Sequence, residues 1–174
     1  GDLMVREKSS ASAPEINVTA AITQGSGDVS DPEVSYDGKK IVFALRCPTS
    51  NTSTIDGAAG STSGRVAACT GRWNIWEYDM GAASAPSDMG TGSSQALDLT
   101  AGKLRRITSS TTDDDVDPVY LPGARGFVFS SNRQAKSHLN QALGRSYYAL
   151  DEYERERVMN LHTMDANGAD VQQI

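Results

Sequence analysis

The feature that most constrains the fold of this chain is an internal repeat. Asp31-Pro32 returns as Asp117-Pro118, Val42-Phe43 as Val128-Phe129, Asn74-Ile75 as Asn160-Leu161 and Asp79 as Asp165, each pair at an offset of 86 residues. A register held across a dissimilar intervening stretch points to a duplicated structural unit, which has to be recognised before any element is assigned. Further on, Lys103 to Ile107, the part of Lys103 to Thr108 that the chain repeats, matches Asp170 to Ile174 at an offset of 67, so the second copy is 19 residues shorter in one loop.

Each copy carries the same succession of short strand signals. In the first, Glu33-Val34-Ser35 leads to the turn Tyr36-Asp37-Gly38-Lys39, where Gly supplies the positive φ of a tight hairpin. Lys40 to Leu45 follows, continuously apolar from Ile41 onward, the pattern of a strand covered on both faces. Trp73 to Asp79 and Lys103 to Thr108 complete the set. The second copy runs Val119-Tyr120-Leu121, the turn Pro122-Gly123-Ala124-Arg125, Gly126 to Ser131, Val158 to Asp165, and Asp170 to Ile174, with Asn167-Gly168 as its last hairpin. Four short strands per copy, joined by hairpins and apolar on both faces, describe a propeller blade.

The residues Asp31-Pro32-Glu33-Val34-Ser35-Tyr36-Asp37-Gly38-Lys39 resemble the Asp-Pro-x-x-Ser-x-Asp-Gly-Lys motif of TolB-like β-propeller repeats. Asn74-Ile75-Trp76 with Asp79, then Leu104-Arg105-Arg106-Ile107-Thr108, is similar to the remainder of such a blade. The second copy departs at Leu121 to Arg125 but keeps Asp-Pro, Phe127 to Arg133 and the Asp165 to Gly168 turn. The resemblance covers about Asp28 to Ile174 and implies an all-β fold: a partial β-propeller of four-stranded antiparallel blades, with one short helical insert. It implies nothing about activity, because propellers host many functions. A narrower likeness, carried by Tyr148 to His162, is to secreted bacterial propeller proteins related to the hydrazine synthase alpha subunit, which sit beside c-type haem domains. The chain has no Cys-x-x-Cys-His, so haem attachment here is excluded and no cofactor is expected.

The expected organisation is an N-terminal extended segment, 1–27, with strand-like pieces at Leu3 to Val5 and Ile16 to Thr23. A first blade, 28–116, carries a Cys-bounded insert, and a second, 117–174, carries the helical insert. The start lacks the basic and apolar regions of a signal peptide. Ile174 falls inside an extended segment, which predicts continuation of the natural chain.

Cys47 and Cys69 bound a loop of Ser, Thr, Gly and Ala. Such a loop has little to bury against the entropy of ordering it. A disulfide between them would remove about 3 kcal/mol of unfolded-state entropy and fits a periplasmic or extracellular setting. The alternative is two unlinked buried thiols, a poor match to polar loop sequence. In the second copy's insert, Leu139, Leu143, Tyr147 and Leu150 recur at helical spacing. Packing on the propeller edge is the plain expectation; docking into a partner's groove is the functional one.

Little in the chain marks chemistry. Asp113, Asp114, Asp115 and Asp117 concentrate carboxylates that are a weak Ca2+ candidate by ligand type, but their spacing is not that of an EF-hand and solvated loop charge is the plainer account. Asp31 and Asp117 read as caps of the turn that opens each copy. His162 aligns with Trp76 and is expected to be a packed strand residue; His138 has no nucleophile nearby in sequence. Trp73, Trp76 and Tyr78 have the types of a sugar platform, but at strand spacing they are expected to pack blade on blade. No nucleophile elbow, phosphate loop, dinucleotide fingerprint or zinc spacing occurs. No catalytic, cofactor-binding or metal residue is therefore assigned.

With 22 acidic against 16 basic residues, the formal charge is -6. That field repels nucleic acid, and no apolar run reaches the ~18 residues of a membrane span. The expected function is a non-catalytic periplasmic or extracellular interaction subunit that stabilises or bridges a larger complex, with a protein partner such as a cytochrome-bearing membrane assembly. The alternative is the propeller portion of a multidomain secreted multihaem oxidoreductase.

Overall fold

The computed structural model describes residues 1–6, 8–56, 64–80, 104–133, 142–144 and 158–174. In chain order these form β1 (Met4–Arg6), β2 (Glu15–Asn17), a helical turn α1 (Ala20–Thr23), β3 (Asp28–Val34), β4 (Lys40–Arg46), β5 (Thr54–Asp56), β6 (Arg65–Ala67), β7 (Asn74–Asp79), β8 (Leu104–Arg106), β9 (Asp115–Tyr120), β10 (Gly126–Ser131), β11 (Asn160–Asp165) and β12 (Gln172–Gln173). The protein is predominantly β. Two four-stranded antiparallel sheets dominate, one in the order β3-β4-β7-β8 and the other β9-β10-β11-β12, with two-stranded ribbons β1-β2 and β5-β6 beside them. No helix among the described residues is long and apolar enough to cross a membrane.

The repeat is reproduced in hydrogen-bond register. In the first sheet Ile41 pairs with Tyr78, Phe43 with Trp76 and Leu45 with Asn74. In the second, Phe127 pairs with Met164, Phe129 with His162 and Ser131 with Asn160, the same pairings 86 residues on. The outer pairs agree too: Trp76 with Arg106 and His162 with Gln173.

Both Asp-Pro pairs lie inside strands, where the register shifts between Ser30 and Glu33 and, in the partner strand of the second sheet, between Val128 and Ser130. Proline cannot donate to a ladder, so a strand that contains it bulges, and the preceding Asp takes positive φ, 53° at Asp31 and 50° at Asp117. The expectation that these residues cap an opening turn is corrected: they are bulge residues. The first sheet's hairpin turn is as expected, with Gly38 at φ 71° and the Asp37 carboxylate accepting from the Ser35 hydroxyl (2.7 Å) and the Lys39 N–H (3.1 Å).

Two apolar clusters hold the sheets. One joins Val42, Ile75 and Ile107 of the first repeat copy to Tyr120, Phe127, Phe129 and Met164 of the second. The other lies on the opposite face of the first sheet, where Ile41, Phe43, Leu45, Trp76, Tyr78 and Leu104 pack with the N-terminal segment and the Cys-bounded loop. Trp76 and Tyr78 therefore do not pack sheet on sheet, contrary to expectation. Their cover is Leu3, Ile16, Val18 and Ile22, together with Ile55, Ala68 and both cysteines.

Residues 16–23 are not a strand throughout, because the Asn17 carboxamide oxygen accepts the N–H groups of Thr19 (3.2 Å) and Ala20 (2.9 Å) and turns the chain into α1. Cys47 and Cys69 form a disulfide across a separation of 22 residues. The loop it closes is tied down at its described residues, 48–56 and 64–68. It holds the β5-β6 ribbon, its Asn51 amide donates to the carbonyls of Ile22 and Thr23 (both 2.8 Å), and the Arg106 guanidinium donates to the carbonyls of Ala67 (2.8 Å) and Ala68 (2.7 Å).

Candidate functional site

Three places in the fold have the ingredients of a site: the seam between the sheets, the paired bulges, and the outer face of the second sheet. At the seam, Glu77 of β7 lies between Trp76 and Tyr78 and is buried. Its carboxylate accepts from the Arg105 guanidinium (2.9 Å), from the Lys40 ammonium (3.2 Å) and, across the seam, from the Tyr120 hydroxyl (3.2 Å). Arg105 also donates to the Ala166 carbonyl (2.8 Å) in the β11-β12 turn. Gly168 of that turn lies so close that a Cβ there would meet the Ile107 carbonyl oxygen at 2.4 Å. Burial and the Glu77 charge push the Tyr120 phenol up from its ordinary value. A cavity of about 300 Å³ opens beside this network, lined by Tyr36, Lys40, Glu77, Arg105, Tyr120 and Phe127 among others. Both Glu77 oxygens have partners, so the network joins the sheets.

At the bulges, Asp31 and Ser130 are the groups that act on the Asp117 carboxyl. Partial desolvation and the negative charge of Asp31 hold Asp117 above the ordinary carboxylate range, with Ser130 acting in the opposite sense. The acidic run next to Asp117 does not converge. Asp113 accepts from the Ser110 (3.0 Å) and Thr112 (2.9 Å) hydroxyls, and Asp114 from the Trp73 N–H (3.0 Å) and Arg72 (3.3 Å). Asp115 is buried against Arg133, whose Nε donates to it at 3.0 Å. Asp115 and Asp117 belong to β9, so the reading of these acids as solvated loop charge is corrected for Asp115. Among the described residues no three His, Cys, Asp or Glu side chains are grouped to hold a metal ion.

The second sheet turns Tyr120, Phe127, Phe129 and Met164 toward the first sheet and Val119, Val128, Leu161 and Ile174 away from it. Leu161 is 53% exposed, Ile174 61% and Val119 44%, with Val128 half-buried. Their equivalents in the first copy include Val42, Ile75 and Ile107, all almost fully buried in the seam. The outer face thus repeats the chemistry of a surface that is covered elsewhere in the same molecule.

Of the interaction residues expected from sequence, Leu143 is exposed, while Leu139, Tyr147 and Leu150 lie outside the described residues, as does His138. His162 is fully buried, with its ring 5.5 Å from Phe129 and Nδ1 2.9 Å from the Asn160 carbonyl oxygen. The outer face went unrecognised in the sequence; the signal for it is that Val128, Leu161 and Ile174 fall at the repeat positions of Val42, Ile75 and Ile107. Compared with known proteins, the sequence matches no protein-family model and no curated protein, so its function is argued from this geometry.

Proposed function

We propose that the chain is a non-catalytic interaction module: two consecutive blades of a TolB-like β-propeller that stabilise or bridge a larger assembly in the periplasm or outside the cell. The observation that carries the reading is the outer face of the second sheet, where Leu161 and Ile174 stand in solvent although their repeat equivalents Ile75 and Ile107 are core. Apolar patches of this kind mark interaction surfaces on soluble proteins. The identical strand register, the Asp-Pro bulge in both copies and the packing of the sheets face to face support the blade assignment. The disulfide supports an oxidising compartment. The seam supports a structural rather than a catalytic role, because its buried carboxylate is saturated by partners on both sheets.

The partner is a protein complex, with a cytochrome-bearing one as the specific candidate. Affinity purification from the native cell envelope, run in parallel with Leu161→Asp, tests this: a defined partner with haem absorbance should co-elute with the wild type and be lost from the variant. Equal recovery of all proteins by both forms would overturn the reading.

A further inference from the structure

We propose that the cavity at the hairpin end of the seam is a binding site for a small aromatic carboxylate, its ring against Tyr36, Tyr120 and Phe127 and its acid group against Lys40 and Arg105. The inference does not rest on the interaction-module reading and concerns a different part of the molecule.

The cavity measures about 300 Å³, at the small end of the range for ligand pockets, and every residue of its wall is among those described. Its inner wall is buried, formed by Glu77, Tyr120 and Phe127. Its mouth is accessible, with Tyr36 73% exposed and the Lys40 and Arg105 side chains 39% and 37% exposed. The Tyr36 hydroxyl reaches the Tyr120 carbonyl oxygen at 3.5 Å, which sets the exposed ring across the boundary between the sheets. The wall is predominantly apolar, so a ring that enters exchanges water for carbon on several sides.

The charges select an acid. Lys40 and Arg105 share one carboxylate, that of Glu77, whose other oxygen accepts from Tyr120. Two cations against one buried anion leave a positive charge uncompensated on the wall. Asp37, the other acid of the lining, is exposed and turned into its own hairpin, where it accepts from the Ser35 hydroxyl and the Lys39 N–H. A shallow groove continues from the mouth over Leu121, Pro122 and Gly123 to Arg125, a further cation. An ammonium and a guanidinium beside aromatic rings suit a carboxylate on a ring, the first through charge-assisted hydrogen bonds and the second through apolar contact.

The repeat shows that these groups are not required to build the unit. Tyr36, Lys40, Glu77 and Arg105 correspond to Pro122, Gly126, Thr163 and Gln172, and the second copy makes the same strand pairings with them. An aromatic ring and two cations are additions to a frame that forms without them, and they converge on one cavity.

The test titrates the full chain with three probes of similar shape and different charge: indole-3-acetate, the neutral indole-3-acetamide and the cationic tryptamine. Calorimetry and amide chemical shifts follow binding. Indole-3-acetate should bind one to one and about fivefold more tightly than the amide, the upper range for a partly exposed ion pair, with tryptamine weaker still. Shifts should centre on 35–40, 104–106, 120–127 and 165–168. Tyr36→Ser, at an exposed position, should weaken binding about fivefold with Tm unchanged, and Lys40→Met should reduce the preference for the acid over the amide. Benzoate and 2-naphthoate extend the panel to smaller and larger rings. No saturable binding of any of the three acids at about 5 mM, enough to fill most of a site with a Kd of about 1 mM, overturns the inference. Equal affinity for acid and amine, or binding indifferent to Tyr36→Ser, overturns it as well. Binding that requires removal of residues 82–101 would make the chain itself the occupant, with the same consequence. Each of these failures leaves the interaction-module reading, tested at Leu161, standing.

Discussion

The two four-stranded sheets share a register, a bulge and an ancestry visible in their sequence, yet they occupy different environments. The first is sandwiched, with its aromatic face under the N-terminal segment and its aliphatic face under the second sheet. Among the described residues, the second is covered on its aromatic face alone. The comparison separates what a strand sequence specifies, which is pairing, from what its neighbours supply, which is burial.

Equivalent positions make the sharpest test. Ile75→Ala should destabilise the protein by about 2–5 kcal/mol, as expected for truncating a fully buried aliphatic side chain, while Leu161→Ala at the matching position should stay within about 0.5 kcal/mol. Urea unfolding of the two variants reads the difference; equal losses would mean that the second sheet's outer face is covered. Reducing the disulfide, or Cys47→Ser with Cys69→Ser, should cost about 3 kcal/mol for a closed loop of this length. The cost should fall on the first sheet's side, so exchange should accelerate in 3–23 and 40–46 before it does in 126–131. Simultaneous acceleration would show that the two sheets unfold as one.

Glu77→Gln probes the seam. It keeps the shape but removes the charge that Lys40 and Arg105 face, and the loss should be about 1–3 kcal/mol, the range for disturbing a buried charge-assisted hydrogen-bond set. Thr163→Ala, at the equivalent position of the second sheet, should be close to neutral in the same thermal melts. The smallest effect is expected at the bulges. Because the folded protein holds Asp117 above the ordinary aspartate value, the native state binds the proton more tightly than the unfolded chain. The stability this contributes is present below that value and is lost as pH rises through the elevated folded value. Asp117→Asn should therefore match the wild type at low pH and exceed it at neutral pH, by no more than about 0.5 kcal/mol for a surface position. Asparagine also tolerates the positive φ. Melts at pH 3 and pH 7 would show the crossover, and a variant that gains nothing at pH 7 would remove the Asp31 repulsion as a cause.

Much of the fold was legible because its signals are local. Asp-Pro, Asp-Gly and the apolar run from Lys40 to Leu45 act within a few residues, and their recurrence fixed the copies against one another. Where the reading failed, the deciding contact was distant. Trp76 and Tyr78 have the pattern of buried strand residues whichever element covers them, and only the fold brings Val18 and Ile22 there. The loop between the cysteines is polar in composition, yet Arg106 and Asn51 bring donors to its backbone and to that of α1 from outside the ribbon. Asp115 reads as one of several loop acids until Arg133 is placed beside it. The candidate interaction face was the least legible part, since an exposed Leu161 and a buried Ile75 are the same kind of residue at the same repeat position.

The sequence by itself determined a duplicated four-strand unit, the positions of its hairpin turns, and a cysteine pair suited to bridging. Those follow from backbone hydrogen bonding, proline and glycine geometry, and alternation along a strand, all of which act over short distances. The tertiary structure decided which faces are closed, how Glu77 ties one sheet to the next, and that Leu161 and Ile174 are exposed where Ile75 and Ile107 are core. Burial belongs to a pair of surfaces rather than to a strand, and is set only when both surfaces are in place.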